Sequence, residues 1–394
     1  MNENGINESK RNNDSIEATP PIMTPKKTNW LFAIIIMCQL LMAVIVATVS
    51  EYVRLNIYWV LILSQLSFFI PTVIFVKATG ASFKDLVPMK KLKVSTQFWV
   101  ILFTILCLPL IYFINMISMF FVSNVVMDQL APAMTGVPGI PLGVTVFLAI
   151  LLIGIIAPLN EEFCYRGVIY YGYRSSGRIV ASILLSSFLF GLMHMNFNQM
   201  AYAIVIGVLI CLVLECTGNL LMAILSHAVI NLIGVFAMFS GGVNDVDTPT
   251  SASFREIMEA EIAAELPYYI DFDLPEIFFT FVIIGFMIIF LILAIGFMVL
   301  AYLVLRKIAG NEGRLEHLKS ILPKSKKARK LLKTEQSLAS SESSLDGVSE
   351  GSEDCEVSEV NYEIPSKVKL WSTPLIIACV VCLSLMILSL LNFS

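Results

Sequence analysis

The stretch Leu151–Tyr171, LLIGIIAPLNEEFCYRGVIYY, is apolar enough to cross a membrane, yet it contains two glutamates and an arginine. Glu161 and Glu162 are adjacent, and Arg166 follows about one helical turn later. Ionisable side chains at bilayer depth are costly and are functional candidates by default. This stretch therefore indicates both a membrane fold and a buried reactive site.

The whole chain has the composition of an integral membrane protein. Of its 394 residues, 57% are hydrophobic and 14% are charged, and the mean hydropathy is +0.82. These values lie outside the range of soluble domains. A helix needs at least ~18 apolar residues to cross the ~30 Å hydrocarbon core. Runs of this kind predict an all-α polytopic membrane bundle of about nine transmembrane helices, at 30–50, 57–77, 97–126, 143–173, 178–196, 198–216, 219–239, 275–305 and 370–392.

The chain divides into four regions by composition. We expect a disordered cytoplasmic tail over 1–29, a membrane bundle over 30–305 with its catalytic core at 144–239, a charged cytoplasmic linker over 306–369, and an additional C-terminal transmembrane helix over 370–392. Lysine and arginine are concentrated on alternate loops, which predicts a cytoplasmic N-terminus and, with nine crossings, a C-terminus outside. His317 lies in the linker and is interpreted as a surface histidine.

The three charged residues of the central stretch differ in their expected partners. Glu162 and Arg166 are four residues apart and face each other on a helix, in the acid-first order that favours an ion pair. Glu161 points about 100° away and has no such partner. We therefore predict that Glu162 and Arg166 form a structural support and that Glu161 exchanges protons with water as a general base. The alternative is one buried charge cluster without chemistry.

Two of the three histidines also lie in apolar runs. Phe190 and His194 are four residues apart, as are His227 and Asn231, so each pair shares a helix face. A lone histidine is ordinarily a packing residue. Two of them, with an asparagine and an unpaired glutamate, are harder to explain as packing, because each unsatisfied polar group in hydrocarbon is costly.

Residue counting tests whether these side chains can meet. Counted from a turn at 175–177, Glu161 and His194 differ in height by about 5 Å, whereas Asn231 lies about 6 Å and His227 about 10 Å from that level. Tyr170, Tyr171 and Tyr173 resemble an interfacial aromatic belt, which would put Glu161 near the bilayer midplane.

Three motifs in this order resemble the CPBP intramembrane proteases, which include the type II CAAX prenyl endopeptidases and the bacterial Abi proteins. Here they read Glu161-Glu162-Phe-Cys-Tyr-Arg166, Phe190-Gly-Leu-Met-His194 and His227-Ala-Val-Ile-Asn231. The resemblance implies hydrolysis of a peptide bond in a membrane-associated substrate, which for CAAX proteases carries a prenylated cysteine. It also implies a bacterial plasma membrane as the location.

The resemblance assigns roles to these positions. It implies that Glu161 and His194 activate water, that Asn231 helps to stabilise the oxyanion, and that His227 fills the remaining polar position. Two mechanisms stay open: a zinc site formed by His194, His227 and Glu161 with an open water position, or a metal-free site with Glu161 as base. No cofactor other than zinc is expected, and the expected partners are the lipid bilayer and a protein or lipidated peptide substrate, with no nucleic acid.

Two further functions are compatible with the same residues. A transporter would use Glu161, His194 and His227 as a proton or metal-ion relay, although the hydropathy pattern has no obvious internal repeat, which is common in transporters. A non-catalytic immunity-type membrane scaffold would retain the motifs without using them.

Overall fold

The computed structural model describes residues 23–82, 93–119, 130–240, 276–321 and 369–392, with a few residues between 86 and 91 and residues 121–122. These residues form helices and connecting turns without a strand, which confirms the predicted all-α bundle. In chain order the helices are α1 (Pro25–Tyr52), α2 (Ile57–Ala78), α3 (Val94–Met119), α4 (Ala131–Thr135), α5 (Leu142–Arg174), α6 (Ile179–Met193), α7 (Phe197–Thr217), α8 (Leu220–Ser240), α9 (Glu276–Asn311), α10 (Leu315–Ile321) and α11 (Thr373–Asn392).

Seven helices in the described part of the chain are long and apolar enough to cross a membrane, namely α1, α2, α3, α5, α7, α8 and most of α9. The other two predicted spans correspond to α6 and α11, which are shorter apolar helices. The protein is thus an integral membrane protein, and the number of nine crossings stays a prediction.

The ends of the predicted regions differ from the observed helices at two places. The helix α1 begins at Pro25, because Thr24 caps its first turn and proline fits the first helical position. The helix α9 continues to Asn311, beyond the predicted start of the linker, and α10 follows it. The remainder of the linker, 322–368, lies outside the described residues, as does the segment 241–275 between α8 and α9.

The helix α5 carries the central stretch and changes its winding along its length. Two π-helical segments, Ile150–Ile156 and Phe163–Tyr170, flank the short α-helical segment Ala157–Glu162. A π segment widens the helix and occurs frequently at functional sites. The two glutamates therefore lie where the winding changes, and α5 packs against α1, α2, α6 and α8 around them.

The helices α6 and α7 form a hairpin and pack closely against each other. A Cβ on Gly207 of α7 would come within 2.7 Å of the Ser187 Cβ on α6, so only glycine allows this approach. Small residues of this kind let membrane helices pack by van der Waals contact, since the hydrophobic effect does not drive association inside a bilayer.

The C-terminal helix is part of the bundle, although the sequence indicated only an addition to it. It packs on α1 and α6 through its buried residues Leu375, Cys382 and Met386. The fully buried Asn29 of α1 donates to the Leu370 carbonyl at 2.9 Å and to the Ser372 hydroxyl at 2.8 Å.

The tyrosines at the end of α5 are not an aromatic belt. Tyr173 is fully buried and donates a hydrogen bond of 2.6 Å to Asn29 Oδ1. Tyr170 is buried too and donates to Glu215 at 2.8 Å, whereas Tyr171 is partly exposed. The belt interpretation is wrong for Tyr170 and Tyr173, because their hydroxyls have protein partners instead of interfacial water.

His317 is also not an isolated surface histidine. Its Nε2 contacts the buried Glu215 carboxylate at the end of α7, which also accepts hydrogen bonds from Arg174 at 2.7 Å and 3.2 Å. Arg314 donates to the Glu215 backbone carbonyl at 2.6 Å. Glu215 therefore joins the ends of α5 and α7 to the segment that contains α10.

Candidate active site

Glu162, Arg166 and His227 form a connected charged group. Arg166 Nη1 lies 2.7 Å from Glu162 Oε1, so the predicted ion pair is present. The same oxygen lies 2.7 Å from His227 Nδ1. Because a carboxylate accepts and does not donate, the His227 Nδ1–H donates to it. Glu162 thus orients the imidazole of α8 in addition to pairing with the arginine.

Glu161 lies on the other side of this imidazole. Its Oε2 is 3.7 Å from His227 Nε2, which is too long for a direct hydrogen bond and is a separation that a bridging water can span. The Glu161 residue is only 7% exposed. The structure therefore pairs Glu161 most closely with His227, although residue counting placed His227 farthest from the common level. The reason is that the altered winding of α5 and the packing of α8 on it invalidate a count based on regular vertical helices.

Phe190 lies at the centre of the three motifs. Its ring centroid is 4.4 Å from the Arg166 guanidinium carbon, a cation–π contact. The ring also stacks edge-to-face with His194 at 5.3 Å and with His227 at 5.8 Å. Phe190 thus supports the arginine and both imidazoles at the same time.

His194 lies at the end of α6 and not within a continuous helix. It is the residue that caps the helix, and Met195 after it has φ = 50°, a left-handed conformation that few residues other than glycine adopt. Asn196 then caps α7. His194 is half-buried, and within the described residues its ring forms no hydrogen bond or ion pair with either glutamate. His194 is linked to the group of Glu162, Arg166 and His227 by the Phe190 ring, which contacts both imidazoles.

Asn231 contacts α5 and not the glutamates. Its Nδ2 donates a hydrogen bond of 2.9 Å to the backbone carbonyl of Ile153, in the first π segment. The other motif residue of α8, His227, lies one turn earlier on the same helix face. The third motif therefore joins α8 to α5 at two levels.

The proposed zinc ligands do not converge on one point. In the part of the chain that the structure describes, no group of three histidine, cysteine, aspartate or glutamate side chains is placed to hold a metal ion. Glu161 and His227 are neighbours at 3.7 Å, whereas the ring contact of His194 is with Phe190 and, among the described residues, His194 forms no ion pair with either glutamate. This arrangement does not fit a three-ligand zinc site.

Gln65 is a neighbour of the site that sequence analysis missed. It lies on α2, its Oε1 accepts a hydrogen bond of 3.4 Å from Asn160, and its side chain lies beside Glu161. The signal was a polar amide within the otherwise apolar run 57–77, and an amide in hydrocarbon needs a partner.

Comparison with known proteins agrees with the motifs. Residues 143–233 match the family described as type II CAAX prenyl endopeptidase Rce1-like, a segment that contains all three motifs and most of the helices that position them. The resemblance to the CPBP proteases is thereby confirmed. No curated protein and no solved structure matches the chain.

Proposed function

We propose, because residues 143–233 match the model of the Rce1-like type II CAAX prenyl endopeptidases, that the protein is an intramembrane endopeptidase. Its substrate is a membrane-associated protein or peptide, of the CAAX type with a prenylated cysteine near its carboxyl end. The observation that carries the proposal is the pairing of buried Glu161 with a His227 imidazole that Glu162 orients from the opposite side.

Glu161 is the base in this proposal. Glu162 uses its Oε1 to pair with both Arg166 and His227, so its charge is compensated, whereas no arginine or lysine of the described residues forms an ion pair with Glu161. Water placed between Glu161 Oε2 and His227 Nε2 would give a proton to Glu161 as its oxygen attacks the scissile carbonyl carbon. When the tetrahedral intermediate collapses, the carbon–nitrogen bond breaks and the same proton passes to the leaving amine.

The two histidines have different roles. With its Nδ1–H donated to Glu162, a neutral His227 presents the Nε2 lone pair to the attacking water and helps to orient it. His194 has a ring free of protein hydrogen bonds in the described residues and is more exposed than His227. It would donate to the oxyanion of the intermediate, since donors that face the developing charge lower the barrier.

The test uses purified protein in detergent micelles with a farnesylated peptide that ends in a CAAX sequence. We expect the wild type to release the C-terminal tripeptide and Glu161→Gln to reduce kcat by about 10²–10⁴, the usual contribution of a general base. Glu51→Gln is the matched control, because Glu51 is an exposed carboxylate at the far end of α1. Wild-type rates in Glu161→Gln would disprove the assignment of the base.

The substrate class is tested separately with the same peptide lacking the farnesyl group. If only the farnesylated form is cleaved, the CAAX assignment is supported. Cleavage of both forms would support a broader intramembrane protease, and cleavage of neither would contradict the proposed substrate. The ion-transporter alternative gains no support from the family match.

A further inference from the structure

Pro158 interrupts the hydrogen bonding of α5 immediately before the glutamates. In the first π segment the Ala157 N–H donates to the Leu152 carbonyl, five residues earlier. In this pattern the next donor would be residue 158 and the next acceptor the Ile153 carbonyl. Pro158 has no N–H, so the helix cannot supply that bond.

Asn231 supplies it from the neighbouring helix. Its Nδ2 lies 2.9 Å from the Ile153 oxygen, which is the acceptor that Pro158 leaves free. A carbonyl without a partner inside a membrane is costly, and neighbouring helices are known to satisfy those that proline frees. The Asn231 amide therefore donates to the carbonyl that the missing N–H of Pro158 leaves free.

The packing at the same level is close enough to hold this contact in place. A Cβ on Gly154 would come within 2.5 Å of the Leu232 Cδ2, so α8 approaches α5 directly beside Asn231. Three residues after Pro158 comes Glu161, and one turn before Asn231 comes His227. A bond between Asn231 and Ile153 thus fixes the relative positions of the two helices that present Glu161 and His227 to each other.

We propose that Asn231 is a positioning residue for the proposed proteolysis, and that its amide replaces the backbone N–H that Pro158 lacks. This differs from the oxyanion role that the family resemblance implies for Asn231. The inference rests on the proposed function for its effect on activity, whereas the hydrogen bond itself can be tested by stability alone.

The test is a double-mutant cycle of Asn231→Ala and Pro158→Ala in the full-length protein. Asn231→Ala leaves the Ile153 carbonyl unpaired, so it lowers the unfolding temperature in detergent and reduces kcat/KM on the farnesylated CAAX peptide by about tenfold, the effect of one buried hydrogen bond. Pro158→Ala restores a backbone N–H at residue 158. We expect the double variant to regain the unfolding temperature and most of the activity that Asn231→Ala loses.

The other outcomes of the double-mutant cycle contradict the proposal. If the double variant regains stability but not activity, Asn231 contacts the substrate and is not a positioning residue. If it regains neither, or if Pro158→Ala alone does not fold, the replacement of one donor by the other is wrong. If the wild type cleaves no peptide, the proposed function fails, and the stability measurements still decide whether Asn231 and Pro158 are coupled.

Discussion

Glu161 and Glu162 show how two adjacent carboxylates acquire different properties in one helix. Glu162 is fully buried and uses one oxygen for both Arg166 and His227. Glu161 faces the other nitrogen of the same imidazole without a direct bond. A buried charge is tolerated when it is paired and hydrogen-bonded. The pairing of Glu162 therefore stabilises the local fold. Glu161 has no arginine or lysine paired with it among the described residues, which fits the base role that we propose for it.

Removal of Arg166 should destabilise the bundle. Arg166→Ala leaves Glu162 as a buried carboxylate with only the imidazole as partner, and the loss of one member of a buried ion pair costs about 3–5 kcal/mol. It also removes the cation–π contact with Phe190. We expect a clearly lower unfolding temperature in detergent, measured by intrinsic fluorescence or differential scanning calorimetry.

Lys319→Ala is the control for this measurement. Lys319 forms an ion pair with Glu316 at 2.6 Å, but both side chains are more than half exposed. Exposed pairs contribute little because water and salt screen them. An Arg166→Ala protein as stable as Lys319→Ala would mean that the Glu162 charge is solvated or neutral in the folded state.

The sequence predicted the site at the level of motifs but not of partners. Four-residue spacing correctly predicted the Glu162–Arg166 pair and the shared face of Phe190 and His194. It did not predict that His227 would be the imidazole nearest to Glu161, because that depends on how α8 packs against the altered winding of α5. Side-chain periodicity describes one helix, whereas contacts between helices depend on packing that one sequence does not reveal.

At the level of elements, the buried Asn29 joins the C-terminal helix to the bundle by hydrogen bonds, in addition to the apolar contacts of that helix. Asn29 joins α1 to the residues before α11 and accepts from Tyr173 at the end of α5. Asn29→Leu should leave the Tyr173 hydroxyl buried without a partner, at a cost of about 1–3 kcal/mol. We expect a lower unfolding temperature and faster proteolysis before α11.

Ser50→Ala is the control for this variant. The Ser50 hydroxyl is exposed and bonds only to a carbonyl of its own helix, so its removal should leave the unfolding temperature unchanged. If Asn29→Leu is also unchanged, then α11 is held by its apolar contacts and the asparagine network is dispensable.

The docking of helix α10 depends on the buried carboxylate of Glu215. Glu215→Gln keeps the shape of the side chain but weakens the contacts with Arg174 and His317, because charge-assisted hydrogen bonds are roughly twice as strong as neutral ones. We expect the segment 314–321 to exchange its amide hydrogens faster in the variant, with the core of α7 unchanged. Equal exchange rates in both proteins would show that apolar contacts of Leu318 and Ile321 alone dock this segment.

The elements themselves were largely predictable and their irregularities were not. Apolar run length predicted the positions of the membrane helices, because crossing a bilayer imposes a length. The π segments of α5 do not differ in amino-acid composition from an ordinary apolar α-helix. Pro158 is the one sequence feature that marks the change in winding. His317 and the tyrosines Tyr170 and Tyr173 were misinterpreted for a related reason: their partners, Glu215 and Asn29, are distant in sequence.

At the scale of the whole molecule, Glu215 constrains the topology. It contacts Arg174 at the end of α5 and both Arg314 and His317 after α9, while it lies itself at the end of α7. The end of α5, the end of α7 and the segment after α9 must therefore lie on the same side of the membrane. The helices α6 and α7 therefore return the chain to the side from which it came, whether the short α6 crosses the bilayer fully or enters and turns back within it.

This constraint makes the orientation testable with reporters at two places. The positive-inside rule predicts that the side of Arg174 is cytoplasmic. A phosphatase reporter that is active only outside the cytoplasm should then be inactive when fused after residue 345 and active when fused after residue 250, since α9 crosses between them. Activity at 345 with none at 250 would mean that the orientation is the reverse of the predicted one. The ends of α5 and α7 and the segment after α9 would still lie on the same side of the membrane. Equal activity at both sites would mean that α9 does not cross, which would contradict the structure as well as the charge rule.

A cysteine introduced at Asn196 would then show whether α6 crosses the bilayer fully or turns back within it. A membrane-impermeant maleimide added from outside reacts with it if α6 crosses fully, and fails to react if the turn after His194 ends within the bilayer.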